Sequence, residues 1–223
     1  MTTHIGMLLY PGLTQLDLTG PFEVLHRVPG AEVHLLWKTT DPVRADSGLT
    51  ITPTRMLAGC PPLDVLFVPG GAGQLALMSD GEVLGFVAHQ GASARWVTSV
   101  CTGALLLGAA GLLDGYEATT HWAFMDLLPL FGARPVARRV VVDRNRVTGG
   151  GVTAGIDFGL TLAAALADEA TAQAIQLGLE YDPAPPFRAG HPDVADAAIV
   201  DAVRARLAGL RDARAQQLAT LRR

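Results

Sequence analysis

Short, nearly continuous apolar runs alternate with longer stretches of helical spacing along this chain. Residues 5–10 (IGMLLY) are apolar at almost every position and stop at Pro11-Gly12, as buried parallel strands do. Residues 16–28 then carry apolar positions at helical spacing (Leu16, Phe22, Leu25), with Pro21 requiring a helix start or a kink. Residues 32–37 (EVHLLW) predict a second strand, 49–53 (LTITP) an edge strand, and 65–68 (VLFV) a third core strand closed by Pro69-Gly70-Gly71-Ala72-Gly73. A helix is expected over 75–89, with a restart at Ser79-Asp80, then a fourth core strand over 96–100 (WVTSV) and a small-residue helix over 102–113. The rest predicts a short helix at 122–131, a hairpin of 140–143 and 146–148, helices at 155–167 and 169–179, a Pro-rich loop at 181–187, and a polar–apolar helix over 195–221. Strands alternating with helices across glycine turns predict a doubly wound, mostly parallel α/β sheet with helices on both faces. No repeat or low-complexity linker divides the chain. The expectation is one α/β domain over residues 1–194 and a C-terminal helical extension over 195–223.

Composition narrows the class. The 223 residues are 49% apolar and 17% charged, with a net charge of −4. Such a chain buries a sizeable core and lacks the low hydrophobicity and high charge of a disordered one. A mildly acidic balance argues against a nucleic-acid partner, which needs a basic face. Mean hydropathy is positive (+0.30), yet the longest apolar stretch, 96–113, is interrupted by Thr98, Ser99, Thr102, Gly103, Gly108 and Gly111 and followed by Asp114. It does not read as a membrane span. The start, MTTHIGMLLYPG, shows no basic segment or cleavage signature, so a soluble, cytoplasmic protein without a membrane partner is expected. Two cysteines make neither a disulfide framework nor a structural zinc site unless histidines complete it, and the six histidines form no HxH or HxxxH pair. No metal is expected.

One of the two cysteines has a reactive setting. In Ser99-Val100-Cys101-Thr102-Gly103 a strand passes abruptly into a helix, with small residues two before and two after the cysteine. This is the nucleophile-elbow pattern with sulfur in place of oxygen, and a helix N-terminus there favours the thiolate. A buried core cysteine is the plainer alternative; Cys60, in a loop before Pro61-Pro62, has no such context. The glycines after residues 65–68 suit a backbone oxyanion site, pairing the Gly71 N–H with that of Thr102, although an ordinary tight turn explains them equally well. Asp17 sits among apolar residues just past the first strand, either as a helix cap or as a general acid/base facing the thiol with its pKa raised by burial. His121, in Ala118-Thr119-Thr120-His121-Trp122, is either a partner for the cysteine or a packed polar residue. Phe22, Trp122 and Phe187 are candidate pocket walls as well as candidate core. The glycine run 149–151 opens a helix expected to pack near the elbow and to shift when Cys101 is modified, although close packing is the leading explanation of the glycines.

These residues carry a resemblance. FVPGGAG, TSVCTGALLLGAAGLLDG, ATTHW and TGGGVTAGIDFGLTL, spread over residues 5–179, resemble the ThiJ/PfpI-like superfamily with its class I glutamine amidotransferase-like fold. YPGLTQLDLTGPFEVL, CTG, ATTHW and QLGLEYDPAPPF are most similar to its isonitrile (isocyanide) hydratase branch. The resemblance implies a flavodoxin-like fold, a homodimer, no cofactor, a cysteine nucleophile at Cys101, an acidic partner at Asp17 and assistance from Thr102. It implies a lyase of the hydro-lyase type acting on a small apolar isonitrile to give an N-substituted formamide through a thioimidate. Asp17 stands where the protease and deglycase branches usually have Glu, and Thr102 where the protease branch has His, which argues against peptidase activity. The late H-x-E pair of glutaminases is missing, because His191 is followed by Pro192-Asp193.

Two other functions fit the same motifs. One is a ligand-sensing domain like those of transcription regulators that share DLTGP and CTG…TTHW. Beyond residue 194 only 29 residues follow, one helix rather than a DNA-binding module. Its apolar stripe (Val200, Val203, Leu207, Leu210, Leu221) predicts packing on its own domain or on a second subunit. The other is a redox or stress protein using Cys101 as a peroxide sensor.

Overall fold

The fold was analysed in a computed structural model that describes residues 2–221. In chain order its elements are β1 (Thr3–Leu8), α1 (Gln15–Leu25), β2 (Ala31–Trp37), β3 (Val43–Arg44), β4 (Thr50–Ile51), β5 (Arg55–Met56), β6 (Val65–Val68), α2 (Gln74–Leu77) and α3 (Gly81–Ser93). They continue with β7 (Trp96–Val100), α4 (Gly103–Ala109), β8 (Glu117–Ala118), a 3-10 helix (Trp122–Phe131), β9 (Arg134–Pro135), β10 (Val140–Asp143), β11 (Arg146–Gly149), α5 (Ala154–Leu166), α6 (Glu169–Gly178) and α7 (Ala197–Leu221).

The apolar runs form the centre of a seven-stranded sheet of order β10-β11-β7-β6-β1-β2-β5. Every neighbouring pair is parallel except the β10–β11 hairpin. β6 is buried at all four positions, as expected of a strand covered on both faces. The helices pack in two groups, α1 with α5 and α6, and α4 with α3 and the 3-10 helix. Phe67 of β6 meets Phe158 of α5 at 5.4 Å between ring centroids. The fold is thus the mostly parallel, helix-covered sheet expected from the pattern.

Local departures have local causes. The restart expected at Ser79-Asp80 is present and divides the helical stretch into α2 and α3, because the Asp80 carboxylate accepts from the Glu82 and Val83 N–H groups and caps a new start. The strand expected over 49–53 does not edge the main sheet. It turns back at Gly48 (φ +89) and pairs with β3 as an isolated hairpin, leaving β5 as the edge. Residues 122–131, with Pro129 inside, wind as a 3-10 helix. The Gly149–Gly151 run is close-packed: a Cβ on Gly149 would stand 3.1 Å from Val100 and 3.3 Å from Phe158. Among the described residues no helix is long and apolar enough to cross a membrane.

Candidate active site around Cys101

Three chain segments converge beyond the carboxyl ends of β1, β6 and β7. Cys101 follows β7 in the left-handed region, at φ +55, a conformation that costs a non-glycine residue roughly 1–2 kcal/mol. Hydrogen bonds hold it there. Its N–H donates to the Gly150 carbonyl at 2.7 Å and the Gly149 carbonyl at 3.1 Å, and Thr120 Oγ1 donates to its carbonyl at 2.8 Å. The glycine two positions after the cysteine is required by space, since a Cβ on Gly103 would lie 2.1 Å from the Val68 carbonyl oxygen. The turn lifts the sulfur out of the strand, as an elbow does.

The second segment is the glycine loop after β6. Gly70 N–H donates to Asp17 Oδ2 at 2.9 Å, and Gly71 N–H donates to Thr102 Oγ1 at 3.1 Å. The Gly71 N–H assigned to an oxyanion site from sequence is therefore engaged with the Thr102 hydroxyl. The Thr102 N–H is the backbone donor that reaches Cys101. The third segment is α1, which carries Asp17 fully buried, with Oδ1 lacking a hydrogen bond of good geometry. Tyr10 closes the floor by donating to the Pro69 carbonyl at 2.8 Å.

Electrostatics couples the acid and the thiol. Burial raises the Asp17 pKa to about 7, against the lowering effects of the Cys101 side chain and the Gly70 N–H. Burial, and then the Asp17 charge, push the Cys101 thiol well above its ordinary value, outweighing the Thr102 N–H and the Arg214 guanidinium. This differs from the sequence expectation that the helix N-terminus would favour the thiolate. α4 is only seven residues long, and desolvation beside a carboxylate dominates.

Sequence reasoning missed Arg214. It enters from α7 and is only 1% exposed. Its Nη2 donates to the Gly71 carbonyl at 2.9 Å and its Nε to Gln74 Oε1 at 3.0 Å, and the guanidinium lies over the Phe124 ring at 4.6 Å. The C-terminal helix thus places a cation beneath the glycine loop. The apolar stripe announced only that the helix packs somewhere.

The other candidates divide. His121 and Trp122 line a cleft of about 430 Å³ together with Thr120, Gly150, Val152 and Arg138. Thr120 and Gly150 are the residues whose oxygens hold the Cys101 backbone. His121 caps the 3-10 helix by accepting the Ala123 N–H on Nδ1 at 3.3 Å. Burial, followed by Arg214, lowers its pKa to about 4, so the ring is neutral. Phe22 stacks on His26, with ring centroids 5.5 Å apart, and Phe187 is 78% exposed; neither lines the cleft. Cys60 is half-buried in its loop, hydrogen-bonded to the Pro61 carbonyl.

A strained cysteine at a strand–helix corner, a buried acid and a glycine loop coincide with a family match: the DJ-1/PfpI family model matches residues 3–165. The chain belongs to the DJ-1/PfpI family. Among family relatives, the isonitrile hydratase of Pseudomonas putida is 58% identical over 208 residues, covering 93% of this chain and 91% of that protein. The HTH-type transcriptional regulator GbdR of Pseudomonas aeruginosa is 33% identical over 71% of this chain but only 45% of its own length. A crystal structure of a ThiJ/PfpI family protein from Pseudomonas syringae superposes with a TM-score of 0.96 at 48% identity, covering 98% of this chain and 91% of that one. The family match spans all three segments that meet at Cys101, whereas Arg214 lies beyond it.

Proposed function

We propose that this DJ-1/PfpI protein hydrates isonitriles to N-substituted formamides. The observation that carries the reading is the buried Asp17–Cys101 pair, whose carboxyl group has a pKa of about 7 and can both give and take a proton near neutrality. The 58% identity to the Pseudomonas putida isonitrile hydratase supports the same reading.

The pair needs one shared proton. Asp17 takes the thiol proton, and the thiolate adds to the terminal isonitrile carbon, forming the C–S bond. The Asp17 carboxylic acid then delivers that proton to the same carbon, giving the thioimidate R–N=CH–S–Cys101. As a carboxylate again, Asp17 takes a proton from water while the oxygen adds to the carbon, and the proton passes to nitrogen. Cleavage of the C–S bond, with the hydroxyl proton returned through Asp17 to sulfur, releases R–NH–CHO and the free thiol. No histidine base is required, which suits a His121 whose pKa of about 4 makes it a weak base and whose Nδ1 already accepts the Ala123 N–H. The Thr102 N–H steadies the sulfur when it is anionic, at addition and at expulsion. The apolar substrate would lie in the cleft against His121, Trp122 and Val152.

The test is incubation with a simple alkyl isonitrile and chromatographic detection of formamide. Turnover by the wild type, none by Cys101→Ser, and loss of most turnover in Asp17→Asn are expected. Absence of formamide, or near-full turnover by Asp17→Asn, refutes the scheme and leaves the ligand-sensing or redox role that the same motifs fit.

A further inference from the structure

A second cluster of chemistry-bearing side chains lies at the opposite end of the sheet, where β1 and β2 begin. The two strands are parallel, with His4 opposite Glu32 and Gly6 opposite His34. Side chains two apart on a strand share a face, so Glu32 and His34 stand on one side of β2. The register brings His4 beside them. His4 Nδ1 and His34 Nε2 are 3.1 Å apart. Glu32 Oε2 lies 3.7 Å from His4 Nδ1, and Glu32 Oε1 lies 3.8 Å from His34 Nε2. His34 is buried, His4 is partly buried and Glu32 is exposed.

A hydrogen bond between the imidazoles accounts for the 3.1 Å contact alone. The same two nitrogens also face the carboxylate at distances beyond a hydrogen bond, so hydrogen bonding leaves two of these three pairs unaccounted for. A cation at the centre serves all of them. A tetrahedral zinc ion with Zn–N distances of ~2.0–2.1 Å sets its two nitrogen ligands about 3.3 Å apart, and a nitrogen–oxygen pair similarly. The observed spacings reach that triangle through shifts of roughly 0.2–0.5 Å, within the freedom of an exposed glutamate and a partly exposed histidine. The geometry points to a divalent transition-metal site, fitted best to zinc, made by His4 Nδ1, His34 Nε2 and the Glu32 carboxylate, with one position open to water. Two imidazoles and one carboxylate are a borderline donor set that favours such ions over magnesium or calcium. Asp64 Oδ2 accepts the His4 N–H at 2.8 Å and fixes the start of β1. Arg55, whose charge reaches His34, opposes a cation and weakens its binding. Binding there would tie β1 to β2 at the end of the sheet remote from Cys101.

The experiment is calorimetric titration of the chelator-stripped full chain with zinc chloride, with cobalt(II) absorption as a second readout. One ion per chain is expected, with tetrahedral cobalt bands and a rise in melting temperature. His4→Ala should abolish binding and Glu32→Gln weaken it by about tenfold or more. His89→Ala, at an exposed histidine elsewhere, and Cys101→Ser should leave it intact. No uptake, binding unchanged in both His4→Ala and Glu32→Gln, or binding lost in Cys101→Ser would overturn the assignment.

Discussion

Replacing Asp17 with asparagine should disable the protein and change its stability in a direction that depends on pH. In the folded chain the carboxyl pKa rises from 3.8 to about 7, chiefly through burial. Between those two values the folded state keeps a proton that the unfolded state has released, so stability falls as pH rises through this window. A shift of about three units corresponds to ~4 kcal/mol lost by pH 8 relative to pH 4. Asparagine does not titrate and keeps an oxygen for the Gly70 N–H now bonded to Oδ2. Its amide replaces Oδ1, which is buried without a partner, at a cost of ~1–3 kcal/mol. The variant should therefore fall about 1–3 kcal/mol below the wild type near pH 4 and exceed it by roughly 1–3 kcal/mol near pH 8. Urea unfolding of both proteins from about pH 4.5 to about pH 8 measures the difference, and groups that do not interact with Asp17 cancel between the two curves. A difference that stays constant over that range refutes the raised pKa, and with it the acid/base role.

Two further outcomes follow from the same geometry. Arg214→Met leaves the Gly71 carbonyl and Gln74 Oε1 without their donor, so it should destabilise by ~2–4 kcal/mol in urea unfolding and slow iodoacetamide alkylation of Cys101, with partial rescue by Arg214→Lys; alkylation at the wild-type rate would show that the cation does not act on the thiol. His121→Asn preserves an acceptor for the Ala123 N–H, so activity should stay within about tenfold and the fall in rate below pH ~7 should persist, because that limb belongs to Asp17. Its disappearance would transfer the acid/base role to His121.

Much of the fold is legible in local pattern, because a strand covered on both faces is mostly apolar: β6 is so at every position, and β1 and β7 are so apart from Thr3, His4, Thr98 and Ser99. Shorter elements are not. β8, β9 and β5 are two residues each, too short for any periodicity, and exist only because neighbouring strands offer them partners. The cysteine corner, the glycine loop and Asp17 are readable for a related reason: a strained elbow and a tight approach admit few residue types, and a carboxylate in an apolar stretch stands out. Arg214 is not readable, since an arginine on a polar–apolar helix looks like a solvated surface charge. Nor is the His4–Glu32–His34 cluster, whose members are 28 and 2 positions apart and meet only through the β1–β2 register.

By itself, then, the sequence determines which of the longer segments are strands and helices and which residue types can stand at the elbow, for those are matters of burial period and backbone sterics. What the elbow does with a proton is decided by tertiary structure. The macrodipole argument favours a thiolate at Cys101, and the folded protein instead keeps the thiol protonated, because packing removes water from Cys101 and Asp17 together and sets a carboxyl group beside the sulfur. A pKa is a property of surroundings, and these surroundings are assembled from α1, β6, β7 and α7, segments nearly two hundred residues apart along the chain.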